Sequence, residues 1–197
     1  MHFVMPASAR PRLFGALAAV VLGATALVVS PATQAAAADS PVCYRGPSES
    51  VYYKLTNVAT GKVLDVKSKS TAAGARLVQY SYNGGTNQQW RFVCVNGGAY
   101  KIVARHSGQV IDVPNATTAE GAFLQQWPAN GSTAQAWYVG RVSSLDSGHM
   151  TFELQNLGNK KVIDVAADGV SIVQSTSTTA SGNKRQQWIF DQVATVS

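Results

Sequence analysis

The chain has 197 residues, with 16 Lys and Arg against 10 Asp and Glu, a net charge of +6, and 13% charged residues beside 46% hydrophobic ones. That length holds one domain or two small ones and excludes a multidomain enzyme, and two cysteines are too few for a four-thiolate zinc site or a disulfide scaffold. No run of Lys or Arg forms the basic stripe that nucleic-acid binding needs, so no nucleic-acid partner is expected.

Arg10 and Arg12 precede an uncharged stretch from Leu13 to Val29, and small residues follow, ending in Ala35-Ala36-Ala37-Ala38. A basic start, an apolar middle and an Ala-x-Ala end predict a secretory signal peptide over residues 1–38, hence an extracellular protein with no membrane span after processing. The alternative is a retained anchor, for which the apolar stretch is at the short limit for spanning and is rich in Ala rather than Leu. This segment inflates the hydrophobic fraction. Residues 39–50 form an N-terminal arm.

The remainder, residues 51–197, is one unit written three times, over 51–96, 97–147 and 148–197. The first copy opens on the alternating Tyr53-Lys54-Leu55-Thr56, continues with Gly61-Lys62-Val63-Leu64-Asp65-Val66, and ends on Asn87-Gln88-Gln89-Trp90. The second has Tyr100-Lys101-Ile102-Val103, Gly108-Gln109-Val110-Ile111-Asp112-Val113 and Ala134-Gln135-Ala136-Trp137. The third has Phe152-Glu153-Leu154-Gln155, Lys160-Lys161-Val162-Ile163-Asp164-Val165 and Arg185-Gln186-Gln187-Trp188. Asp to Trp is 25, 25 and 24 residues, and Trp to Trp is 47 and then 51. The landmarks are short β-branched or aromatic pieces separated by Gly, Asn and Ser clusters such as Tyr82-Asn83-Gly84-Gly85-Thr86, and no long window has helical periodicity. An all-β chain of about twelve short strands follows. Propellers need at least about four blades, so three units must close differently, and a unit unable to bury its apolar face alone must share a core with the others.

The Gln-x-Trp triplets at Gln88–Trp90, Gln135–Trp137 and Gln186–Trp188 resemble the repeat of the ricin B-type lectins, the family that includes the family 13 carbohydrate-binding modules. The resemblance covers nearly all of residues 51–193. It implies a β-trefoil of three pseudo-symmetric lobes around a shared barrel. It also implies a non-catalytic, monomeric protein whose partner is a glycan or polysaccharide, of galactose or xylose type, with no cofactor. Family members often carry a disulfide within each lobe. The matching positions here are Val63 and Tyr82 in the first lobe and Val110 and Ala129 in the second, so both partners are missing together. Cys43 and Cys94 are the pair available, and a secreted chain favours a bridge between them over free thiols.

A sugar site needs a carboxylate to accept bonds from neighbouring hydroxyls, amides that both donate and accept, and a ring to stack on the C–H face of the pyranose. The resemblance places these in the first lobe on Asp65, Tyr80, Asn83, Asn87 and Gln88, with Val78 where a polar residue is common. In the second lobe they fall on Asp112, Gln125, Trp127, Asn130 and Gln135, with Ala134 in place of the Asn. The third lobe keeps Asp164 and Gln186, but Ser175 stands at the ring position and Arg185 at the Asn position. Binding is therefore expected in the first and second lobes and not in the third. Trp90, Trp137 and Trp188 recur whether or not the lobe is complete, which marks them as core. An alternative reading is a protein-interaction or inhibitor module with vestigial sugar sites.

Nothing in the sequence marks catalysis or metal binding. His106 and His149 have no His or Cys at ligand spacing, no phosphate loop or Gly-x-Ser-x-Gly is present, and the repeated aspartates belong to different lobes, too far apart for paired-carboxylate hydrolysis.

Overall fold

The structure is a computed structural model that describes Cys43 and residues 46–145 and 147–196; the expected signal peptide lies outside these residues. The described chain is all-β, with twelve strands and short 3-10 turns between them. Each copy of the repeat supplies four strands: β1 (Val51–Asn57), β2 (Val63–Val66), β3 (Leu77–Tyr80) and β4 (Trp90–Val95); β5 (Ala99–Ala104), β6 (Val110–Asp112), β7 (Gln125–Trp127) and β8 (Trp137–Ser144); β9 (Met150–Asn156), β10 (Val162–Val165), β11 (Ile172–Ser175) and β12 (Trp188–Thr195).

The first and last strands of the copies form a closed antiparallel ring. β1 pairs with β4, β4 with β5, β5 with β8, β8 with β9, β9 with β12, and β12 returns to β1. Closure leaves no free sheet edge in the ring. The alternation in the sequence explains which side faces in. Along β4, Trp90, Phe92 and Cys94 are buried while Arg91, Val93 and Val95 are half-buried, the period of two that a pleated strand imposes. Leu55, Ile102 and Leu154 occupy the equivalent inward place on the first strand of each lobe and are fully buried.

The remaining strands form three hairpins, β2–β3, β6–β7 and β10–β11. Single bridges link them cyclically, Val78 to Ser171, Arg76 to Gln125 and Phe123 to Val173. Trp90, Trp137 and Trp188 are fully buried. Each indole Nε1 donates to the carbonyl just before its lobe's aspartate, at Leu64 (3.0 Å), Ile111 (3.2 Å) and Ile163 (3.3 Å). One buried ring thus ties the barrel strand to the hairpin, which is why Trp and Asp keep their spacing. Cys43 and Cys94 form a disulfide, fastening the arm to β4.

Candidate functional site

Register builds the same site at each hairpin. Asp65 lies opposite Val78, Asp112 opposite Gln125 and Asp164 opposite Val173. The residue two places further along, Tyr80, Trp127 or Ser175, falls on the same face as the aspartate, because side chains alternate. Each hairpin face opens into a cleft.

The first cleft, about 380 Å³, is lined by Asp65, Val78, Tyr80, Asn83 and Asn87, by Lys67 and Lys69, and by Val170 from the third lobe. Tyr80 is 59% exposed. Asp65 is nearly buried, and its Oδ2 accepts from Asn87 Nδ2 (2.9 Å) and Gln88 Nε2 (2.8 Å). Burial raises its carboxyl above the ordinary value, and these two amide bonds pull part of the way back. Asn87 also donates to the Val66 carbonyl (3.2 Å), while its Oδ1 is buried without a partner among the described residues.

The second cleft, about 400 Å³, is lined by Asp112, Gln125, Trp127, Asn130 and Ala134, with Pro114, Asn115 and Ala116. Trp127 is 40% exposed. Asp112 receives Gln125 Nε2 on Oδ2 (2.7 Å) and Gln135 Nε2 on Oδ1 (3.0 Å). Gln125 therefore supplies, from across the hairpin, an amide to the carboxylate of the lobe in which Ala134 replaces Asn.

Gln88 and Gln135, expected to contact ligand, are not among the residues that line these clefts. Both are fully buried, and their amides are engaged inside the protein. Beyond the aspartate, Gln88 donates to the Ser81 carbonyl (3.0 Å) and accepts from the Asn83 N–H (2.9 Å); Gln135 donates to the Pro128 carbonyl (3.1 Å) and accepts from the Asn130 N–H (2.9 Å). They hold the carboxylate and the loop that carries Asn83 or Asn130.

The third cleft, about 410 Å³, persists without its ring. Gln186 Nε2 bonds Asp164 Oδ2 (3.0 Å), but Asp164 Oδ1 is buried with no partner among the described residues. Arg185, Asp168 and Ser175 line it, together with Phe123 from the second lobe. Phe123 is 41% exposed, and the Arg76 guanidinium lies 3.9 Å from its ring centroid. No repeat pattern marks Phe123, because it serves a neighbouring lobe rather than its own.

A second set of repeated amides was legible but is absent from the sugar-site pattern. Gln79, Gln126 and Gln174 immediately precede Tyr80, Trp127 and Ser175, and all are buried. Gln79 donates to the Gly169 carbonyl, Gln126 to those of Ser70 and Ala72, and Gln174 to those of Thr117 and Ala119. Each thus pins a loop of another hairpin against its own.

The family model described as the ricin-type beta-trefoil lectin domain-like family matches residues 42–127 and 86–175. The chain belongs to the ricin-type β-trefoil lectin family. Among solved structures this trefoil lectin is similar to ThreeFoil, a designed 3-fold symmetric protein, at 39% identity and a TM-score of 0.65, covering 72% of this chain and 99% of that one. It is also similar to 1,3Gal43A, an exo-β-1,3-galactanase from Clostridium thermocellum, at 34% identity and a TM-score of 0.65, covering 73% of this chain but 30% of the enzyme. The agglutinin of Rhizoctonia solani shares the fold at 19% identity and a TM-score of 0.62, over 75% of this chain and 99% of the agglutinin. No curated protein sequence matches the chain.

Within this trefoil lectin, Asp65 is the carboxylate lining the first cleft and Asp112 the one lining the second, among the described residues. Those residues hold no group of three or more His, Cys, Asp or Glu placed to bind a metal. No helix among them is long and apolar enough to cross a membrane.

Proposed function

We propose that this chain is a secreted, non-catalytic carbohydrate-binding protein that holds sugar units in its first and second clefts. The observation that carries this reading is one repeated juxtaposition: a carboxylate fixed by two amides, with an exposed ring two residues along the facing strand. Asp65 with Tyr80 and Asp112 with Trp127 share it. A fixed carboxylate accepts from sugar hydroxyls without an ordering cost, and the ring covers the apolar face of the pyranose. One carboxylate per cleft supports binding rather than the paired-carboxylate hydrolysis of glycosidases. Two clefts on one rigid barrel favour polymers by avidity. Galactose-type polymers are the first to try, since the Clostridium thermocellum relative is an exo-β-1,3-galactanase, with xylose-type polymers beside them.

The test is a glycan array and a polysaccharide pull-down with the wild type, Asp65→Ala, Asp112→Ala and the double variant. Each single change is expected to weaken retention and the pair to abolish it, and Trp127→Ala to weaken the second cleft about three- to tenfold. Retention unchanged in the double variant would sink the reading.

A further inference from the structure

The three clefts share a frame but differ in charge. The turn that follows the aspartate strand is Lys67-Ser68-Lys69 in the first lobe, Pro114-Asn115-Ala116 in the second and Ala166-Ala167-Asp168 in the third. These residues line their respective clefts. The first cleft sets two ammonium groups against one carboxylate. The second has Asp112 and no cation among its lining residues, and the third sets Arg185 against Asp164 and Asp168.

The lysines belong to the cleft rather than to a scattered surface. In the first and second lobes the turn is left-handed, at Ser68 (φ 59°) and Lys69 (φ 53°) and at Asn115 (φ 53°) and Ala116 (φ 49°). The second lobe keeps this costly conformation without lysine, so the backbone is scaffold and the charge is specific to the first lobe. A side chain built on Gly85 would lie 2.5 Å from Asn87 Oδ1, 2.9 Å from Asn83 Oδ1 and 3.4 Å from Lys69 Cε. Glycine there leaves room, and the end of Lys69 converges on the two amides that line the cleft. Asn87 Oδ1, buried and unpartnered among the described residues, is an acceptor awaiting a donor at that same place.

We infer that the first cleft selects acidic sugars, a uronate or a sulfate ester, with Asp65 and Tyr80 holding the pyranose and Lys67 and Lys69 holding its anionic group. This deepens the carbohydrate-binding reading and rests on it. Ammonium-to-anion bonds at an exposed rim discriminate modestly and are screened by salt.

The experiment uses the full chain carrying Asp112→Asn, which leaves the first cleft as the one under test. Neutral galactan and xylan oligosaccharides are arrayed beside the same oligosaccharides bearing uronate or sulfate, and dissociation constants are measured for the best neutral and acidic pair. The acidic form is expected to bind about three- to tenfold tighter at low salt, and the ratio to approach one in about 0.5 M NaCl. Adding Lys67→Gln and Lys69→Gln should bring the ratio near one at low salt as well; glutamine keeps a polar side chain one bond shorter and removes the charge. A preference for uronate and sulfate alike supports charge recognition, and so does a preference for one of them. A ratio near one before the lysines are changed, or a ratio the Gln variants leave standing, overturns this inference while leaving the lectin reading intact. Absence of binding to every glycan, neutral or acidic, overturns both.

Discussion

Gln88 Nε2 lies 2.8 Å from Asp65 Oδ2, and through that bond the loop before β4 fixes a carboxylate on β2. Gln135 and Gln186 repeat the contact to Asp112 and Asp164 at 3.0 Å. The aspartate is therefore a buried acceptor of the scaffold as well as the proposed ligand group, and substitutions can separate the two roles.

Asp65→Asn keeps an acceptor for the amides and removes the charge. Burial holds the Asp65 carboxyl above its ordinary 3.8. A carboxyl protonated more readily in the folded chain than in the unfolded one contributes stability below the ordinary value. That contribution is lost as pH rises through the raised one. The melting temperature of the wild type relative to Asp65→Asn should therefore be highest below 3.8 and decline toward neutrality. Sugar binding by the first cleft should fall about tenfold in the variant. Calorimetry across that range checks the sign; a gap that widens with pH contradicts it.

Gln126→Leu tests the inter-hairpin clamps. It removes one donor from each of the carbonyls of Ser70 and Ala72, now bonded at 2.8 and 2.9 Å and left with His106 Nε2 and the Ala75 N–H, and it removes the acceptor of the Ser107 hydroxyl, which donates to Gln126 Oε1. A loss of about 2–4 kcal/mol is expected in urea unfolding. A loss below about 0.5 kcal/mol would show that the clamp contributes little.

Arg185→Asn should stabilise. It places an amide where Asn87 stands in the first lobe, and Asn87 Nδ2 reaches its aspartate at 2.9 Å. Asp164 Oδ2, which accepts from Gln186, gains a second amide donor, as Asp65 Oδ2 has in Asn87 and Gln88. A higher urea midpoint at unchanged slope, equivalent to about 1 kcal/mol of added stability, is the expected result.

The disulfide joins residues 51 apart in sequence. Replacing Cys43 and Cys94 together with Ser should cost about 2–4 kcal/mol by releasing the arm and relaxing the unfolded chain. Neither cysteine lines the first or second cleft. Sugar affinity measured well below the lowered melting temperature should therefore be retained, and a parallel loss of affinity would mean that the arm shapes a site.

Much of the fold was legible because one contact constrains several landmarks together: an indole that must reach the carbonyl before the aspartate fixes both residues in every lobe. The near-constant Asp-to-Trp spacing hid a different fact. In the third lobe the hairpin loop is short, residues 166–171 against 67–76 and 113–124. The next loop is long, 176–187 against 81–89 and 128–136, and the two changes nearly cancel. The candidate site residues were legible by type, but their surroundings were not. Gln88 and Gln135 have the right chemistry for a sugar contact, and only burial shows that their amides are already used. Val170 and Phe123 could not be found within a repeat, since each lines the cleft of another lobe.

The pairing of β1 with β12 sets Val51 against Thr195, and the Val196 N–H donates to the Ser50 carbonyl at 2.8 Å. The two ends of the barrel sequence therefore meet side by side. A gene rearranged so that these ends are joined by a short linker, and the polypeptide instead starts in the turn between β8 and β9, encodes the same ring in a different reading order. The lobes are then interchangeable modules in a cycle, so a cleft can be moved to any position along the chain without moving it in space.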